Sequence, residues 1–211
     1  MSTNVRGSST RQRIMDVAQD AVLLKGFEAT SIDEIVAAVE ISKGGFFYHF
    51  ADKNALAQAL IRRYIEEEDR IFDDLFGRAR ELNDDPLHAM LIGLKMLAEL
   101  FENLPQAHPG CLVATTAYQD RMFNTEVREL NRSAILGWRA RFLAMIEDIR
   151  ALYPPNEPVD MGALADMVMG VAEGGIVLSK ALNEPSALPA QIMLFRTYLK
   201  LLFSPRLRPA L

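Results

Sequence analysis

The chain contains one cysteine (Cys111), one tryptophan, three histidines, and no proline before Pro86. A lone cysteine excludes an internal disulfide framework and fits a reducing compartment. No apolar run is long enough to be expected to cross a bilayer. The polar start, with Arg6, Arg11 and Arg13, lacks the apolar centre of a secretory signal. A cytoplasmic protein without a membrane partner is expected. A basic excess is missing as well: 23 Lys and Arg face 28 Asp and Glu, for a net charge of −5. That balance argues against a strong long-range pull on a polyanion. The charge is uneven, however. Three arginines precede the first acid, Asp16, while acidic clusters lie at Glu66 to Asp69 and at Asp84–Asp85. Contact chemistry with an anionic partner is therefore expected at one small basic end.

What is present is helical periodicity, with little sign of strand alternation. Ile14, Val17, Ala18, Ala21 and Val22 mark one face of a first helix, which Gly26 is expected to end. Ser31-Ile32-Asp33-Glu34 has the form of a capping box, with Ser31 covering free amides and Glu34 reaching back. Ile32, Ile35, Val36 and Val39 form the buried stripe of a short second helix. Ser42 can cap a third helix, Lys43 to Phe50, and Asp52 a fourth through Leu56, Leu60, Tyr64, Ile71 and Leu75. Further helices are expected from Pro86 to about Leu104 and from Cys111 to Gln119. A long helix turns Leu130, Ala134, Trp138, Phe142, Met145, Ile149 and Leu152 inward, and Pro154, Pro155 and Pro158 break it. Two more, Asp160 to Leu182 and Ala187 to Phe203, complete an all-α chain of about nine helices.

Two short helices separated by Glu40 and Ile41 fit a helix-turn-helix, whose second helix enters the major groove of DNA. That helix, Lys43-Gly44-Gly45-Phe46-Phe47-Tyr48-His49-Phe50, is poor in helix formers. Its paired glycines cost about 1 kcal/mol each relative to alanine. A helix accepts that where bulk is unwelcome, as in a close approach to a backbone or a base edge. Lys43 supplies charge, and Tyr48 and His49 supply donors for phosphate oxygens. Phe46 and Phe50 (i, i+4) read as core of the small domain.

The segment Thr30-Ser31-Ile32-Asp33-Glu34-Ile35-Val36, followed by Ser42 to Phe50 and Asp52-Lys53, resembles the N-terminal motif of the TetR (AcrR) family of one-component bacterial repressors. The resemblance is specific over roughly Arg11 to Leu60 and beyond that rests on length and helix count. It implies a helix-turn-helix DNA-binding domain over residues 1–55 and a larger helical effector-binding and dimerisation domain over 56–211. Thr30 or Ser31, with Tyr48, His49 and Lys53, would hold phosphates. Ser42, Lys43, Gly44, Gly45 and Phe47 would lie at or near base edges. Three positions depart from the family pattern. Glu40 stands in the turn where glycine is usual, Gly45 replaces a hydroxyl residue, and Phe47 replaces the first tyrosine. Glu40 must then hold a left-handed or strained conformation, and DNA anchoring is expected to weaken.

In the last two helices, Leu164, Val168, Val171, Gly175 and Leu178, with Leu188, Ile192, Phe195 and Leu199, follow the alternating spacing of shallow helix packing. These residues are the expected dimer interface, matching the family's pairing of two helices from each subunit. The eighth helix has a second apolar face, Met161, Ala165, Met169, Ala172 and Ile176. Expected ligand contacts are Cys111, Thr115, Tyr118, Gln119, Met122 and Phe123 on or after the sixth helix, faced by Trp138, Phe142, Met145, Met169 and Glu173. Cys111 reads either as a bland buried thiol or as a sensor of electrophiles, and Glu173 either as a ligand contact or as a local cap.

The expected partners are double-stranded operator DNA, a small and largely apolar effector, and a second copy of the chain. No cofactor is expected. His49, His88 and His108 show no metal-site spacing, and no nucleophile elbow or phosphate loop is present, which speaks against an enzyme. A helical interaction module with weakened DNA binding is the alternative reading.

Overall fold

A computed structural model describes residues 9–204. Among them are nine α-helices, one 3-10 turn and no strand. The helices are α1 (Thr10–Ala29), α2 (Ile32–Val39), α3 (Lys43–His49), α4 (Lys53–Leu82), α5 (Pro86–Glu102), α6 (Leu112–Tyr118), α7 (Thr125–Leu152), α8 (Met161–Leu182) and α9 (Ala187–Phe203). The all-α architecture and the helix count are as expected. Arg6 lies outside the described residues.

The chain forms two compact units. The first joins the described residues up to Glu67 with Pro109–Ala134; the second joins Glu68–His108 with the described residues from Ile135 onward. α4 and α7 contribute to both.

In the first unit, Ile14, Ala18 and Val22 of α1 meet Ile35 and Val39 of α2, Phe46 and Phe50, and Leu56, Leu60 and Ile61 of α4 in one apolar core. The Phe46 and Phe50 rings lie 5.8 Å apart inside it, the core role their spacing suggested. Arg13 and Arg11 support this core from the surface. Arg13 donates to the carbonyl of Val39 at 2.7 Å, closing the end of α2, and the Arg11 guanidinium lies 5.0 Å over the Phe50 ring.

Two helix ends depart from simple expectation. Gly26 interrupts α1 at φ 82°, ψ 166°, but the helix resumes to Ala29. The capping box is half made. Ser31 Oγ accepts from the Glu34 amide at 3.1 Å, while the Glu34 carboxylate pairs with Lys25 at 2.6 Å. That ion pair holds the Glu34 carboxyl below the usual carboxylate range.

The turn between α2 and α3 adopts the expected left-handed geometry at Glu40 (φ 59°, ψ 46°). The Ile41 amide then reaches back to the Val36 carbonyl at 3.0 Å, the pattern that normally favours glycine. Glu40→Gly should relieve this strain at some cost in chain entropy, a net gain of about 0.5–1 kcal/mol. Thermal unfolding at fixed protein concentration should show a midpoint about 2 °C higher; a lower midpoint would mean the Glu40 side chain contributes more than its backbone costs.

The second unit has an aromatic centre. Phe72 stacks edge-on against Phe142 (5.4 Å) and Trp138 (6.5 Å), and Phe76 against Phe142 (5.7 Å). Along α7, Trp138, Phe142, Met145 and Ile149 face inward as expected, but Leu152 is 64% exposed because the helix end runs past the core. α8 is long and apolar enough by composition to cross a bilayer, contrary to the sequence expectation. Leu164, Val168, Gly175 and Ile176 are nonetheless buried in the protein, and Gly175 approaches α9 closely. A Cβ at Gly175 would stand 2.9 Å from Leu188 Cα, so only glycine allows these two helices so near.

Candidate nucleic-acid interface

Capping chemistry starts the two helices of the candidate interface. The Ser42 hydroxyl accepts from the Gly45 amide at 3.1 Å, so a seven-residue helix with two glycines begins at a defined point. Phe46 anchors α3, fully buried on one side. The opposite side presents Lys43, Gly44, Phe47 and Tyr48 to solvent, with Tyr48 85% exposed. The rings of Tyr48 and His49 meet edge-on at 5.0 Å. Lys43 is 63% exposed, and its Nζ pairs with Asp33 of α2 at 2.6 Å. A pair this open to water contributes little to stability. Lys43 can therefore exchange Asp33 for a phosphate at small cost.

Ser31, Ser42, Lys43, Gly44, Phe47 and Tyr48 thus stand at the surface, while Gly45 and His49 are half-buried. Two expected phosphate holders are turned to other work. Thr30 is 1% exposed, and its hydroxyl donates to the Gly26 carbonyl at 2.8 Å. The Thr30 side chain is thus buried and bonded within the chain, while its alternative, Ser31, is exposed. Lys53 donates from Nζ to the Phe27 carbonyl, where burial lowers its pKa against the opposing charge of Glu28. Both residues bind carbonyls in the last turn of α1, at and just after the interruption at Gly26. A sequence motif shows a lysine and a threonine at the right spacing, but not that a broken helix end has claimed them.

The residues expected to contact an effector fall into both units and do different things. In the first unit, Cys111 caps α6, its sulfur accepting from the Ala114 amide at 3.4 Å, and Thr115 donates to the Cys111 carbonyl at 2.9 Å. Tyr118 is 79% exposed and Met122 is also at the surface. Gln119 Oε1 accepts from the Phe27 amide at 2.8 Å, and Phe123 packs edge-on against Phe27 at 4.9 Å. These two residues join α6 and the following turn to α1, a role that a separation of 92 residues hides from any local pattern.

In the second unit, Trp138, Phe142 and Met145 are buried, and Met169 and Glu173 are half-buried. Among the described residues, the buried indole N–H of Trp138 meets no hydrogen-bond partner. Met145 also lines a cavity of about 250 Å³ with Phe72, Phe76, Arg80 and Arg141. Those four residues were not among the expected ligand contacts. Among the described residues, no cluster of His, Cys, Asp and Glu could hold a metal ion.

The expected dimer residues are corrected by burial. Leu164, Val168, Gly175, Leu188, Ile192, Phe195 and Leu199 lie inside the chain's own α8–α9 core; Val171 is half-buried and Leu178 is 40% exposed. The apolar residues that α8 and α9 show to solvent are instead Met167, Val177, Leu178, Leu182, Leu194, Tyr198 and Leu201.

A capped, glycine-bearing α3 standing across a tight turn from α2, on an all-helical body, defines the class of helix-turn-helix transcriptional regulators. Residues 14–60 match the family model described as "Bacterial regulatory proteins, tetR family". The transcriptional regulator AcuR of Cereibacter sphaeroides is 24% identical over 86% of this chain and 81% of its own length. The regulator EthR of Mycolicibacterium smegmatis is 27% identical over 83% of this chain and 84% of its own. A TetR regulatory protein from Rhodobacter sphaeroides shares the fold, with a TM-score of 0.72 and 23% identity over 90% of this chain and 99% of that one. A more distant neighbour, described as a gamma-butyrolactone receptor, covers 90% of this chain and 96% of its own at 20% identity and a TM-score of 0.57. Over residues 14–60 the chain is similar to the TetR family, and along most of its length it is similar to curated transcriptional regulators.

Proposed function

We propose that the chain is a homodimeric repressor that holds operator DNA through α2 and α3 and releases it when a small apolar effector fills the helical body. The observation that carries this reading is the outward face of α3: Lys43 and Tyr48 project from a helix start fixed by Ser42 and anchored by Phe46. Residues 1–55 are the reading head in this proposal, and 56–211 the effector and dimer region. The regulator is not an enzyme in this reading, and it acts in the cytoplasm. Its effector chemistry is suggested by the aromatic centre around Phe72, Trp138 and Phe142, where an acceptor on an otherwise apolar molecule would satisfy the free indole N–H. α4, one uninterrupted helix, is the element through which effector binding would shift the reading heads, with a coupling of about 1–3 kcal/mol.

The expected readout is direct. Deleting the gene should raise transcripts from its own upstream region several-fold, and the purified chain should retain duplex DNA of that region. Transcripts that stay level while the protein still binds would remove the repressor role. The alternative, an interaction module that has lost its hold on DNA, draws on Glu40, Phe47 and the acidic net charge, and it requires that no duplex be retained.

The dimer in this proposal uses the solvent-facing stripe of α8 and α9. Val177→Glu combined with Leu201→Glu places two charges per subunit on that stripe, at positions 50% and 67% exposed in the single chain. Light scattering should then report half the wild-type mass with helicity retained. An unchanged mass would put the interface elsewhere.

A further inference from the structure

α3 exposes a large side chain with no polar atom. Phe47 is 50% exposed, although its neighbour Phe46 is fully buried. The Phe47 ring is also held in place, edge-on to Phe46 at 5.5 Å and 89°. An aromatic ring fixed at the surface of a polar helix face marks a contact surface rather than packing.

The glycines beside it point the same way. Phe47 follows Gly44 by three residues and Lys43 by four, so the three share one face of α3. A Cβ at Gly44 would come no nearer than 3.7 Å to Ser42 Oγ, and one at Gly45 no nearer than 3.5 Å to Ile41 Cβ. Both are ordinary contacts. The chain's own packing therefore has room for side chains at both positions, yet the helix carries two residues that disfavour it. What bare backbone provides here is a close approach by something outside the chain. In the major groove the apolar feature at the base edges is the 5-methyl group of thymine; the other features there are hydrogen-bond donors and acceptors.

We propose that Phe47 is a specificity-determining residue that reads a thymine methyl in each operator half-site, with Gly44 letting the helix sink far enough for the ring to reach it. The proposal rests on the reading of α3 as a DNA-reading helix. Lys43, one turn earlier on the same face, would fix the register by contacting phosphate or a base edge.

Selection of bound duplexes from a random pool, with the full-length protein, supplies the probe. Wild type should enrich a two-fold symmetric site with a thymine at a fixed place in each half, and Phe47→Ala should relax that place while keeping the others. Replacing each thymine of the selected duplex by uracil removes only the methyl group. At the place read by Phe47, the exchange should weaken wild-type binding roughly 4-fold per half-site, the effect of one buried methyl-sized group. The same exchange should change Phe47→Ala binding less than twofold. Phe47→Leu, which keeps an apolar side chain, should retain part of the discrimination.

Wild-type binding unchanged by uracil at every thymine overturns the proposal, and so does an equal loss in Phe47→Ala. The wild-type arm does not depend on how well any variant folds. A pool from which nothing is enriched would overturn the DNA-reading assignment of α3 itself, a result distinct from an enriched site indifferent to methyl groups.

Discussion

Replacing Gly26 by alanine is expected to lower the thermal midpoint of unfolding by about 5–15 °C. The backbone at Gly26 sits at φ 82°, ψ 166°, a region open almost only to glycine, and forcing a side chain there costs about 1–3 kcal/mol. The new Cβ would also stand 2.7 Å from Gln119 Nε2. The amide end of Gln119 could swing away, but that end holds the Phe27 amide at 2.8 Å. Losing the bond leaves a backbone donor unmet, for about another 1–3 kcal/mol where it is screened from water. For a chain of this size each kcal/mol moves the midpoint by about 2–4 °C. Gln119→Ala separates the two contributions, since it removes the hydrogen bond and keeps the glycine; its midpoint should fall by less. A Gly26→Ala midpoint within 2 °C of wild type would show that the interruption in α1 carries no strain that glycine relieves.

The double variant Lys43→Ala, Tyr48→Ala should lose about 100-fold in affinity for operator DNA with its stability unchanged. Neither side chain supports the core: Lys43 is 63% exposed and Tyr48 85%. In a dimer each substitution counts twice, and four lost phosphate or base-edge contacts at about 1 kcal/mol each account for a loss of that order or somewhat more. Removing the two lysines should also flatten the salt dependence by about two units of slope, one per released phosphate contact. Fluorescence anisotropy of a labelled duplex carrying the upstream region measures both effects. An affinity within threefold of wild type would mean that another surface makes the contacts.

Most of the fold could be read in the sequence because its signals are local. Capping serines and aspartates, apolar residues at helical spacing and clustered prolines place the helices within a few residues. Glu40 could likewise be read as left-handed, since the turn leaves it no other geometry. What escaped was decided by contacts between distant segments. Spacing showed that α8 carries two apolar faces, but both look alike in the chain. Both prove largely buried, Leu164, Val168 and Gly175 on one and Met161, Ala165 and Ile176 on the other, with Gly175 held close to Leu188. Seven of the nine residues expected at a partner are buried within the single chain, and Leu178 remains exposed. The intrachain bonds of Thr30 and Lys53 escaped for a related reason. Their partners are the carbonyls of Gly26 and Phe27 in the last turn of α1, and nothing at positions 30 or 53 records that. Gln119 lies further still from the amide it satisfies.

Among possible measurements, the salt dependence of binding to DNA from upstream of its own gene bears most directly on α2 and α3 as a reading head. With three or four phosphate contacts per head and two heads, the logarithm of the binding constant should fall against the logarithm of salt concentration with a slope of about −5 to −7. The Lys43→Ala, Tyr48→Ala variant should give a shallower line. A wild-type slope near zero, or no retention of that DNA at low salt, would contradict the assignment.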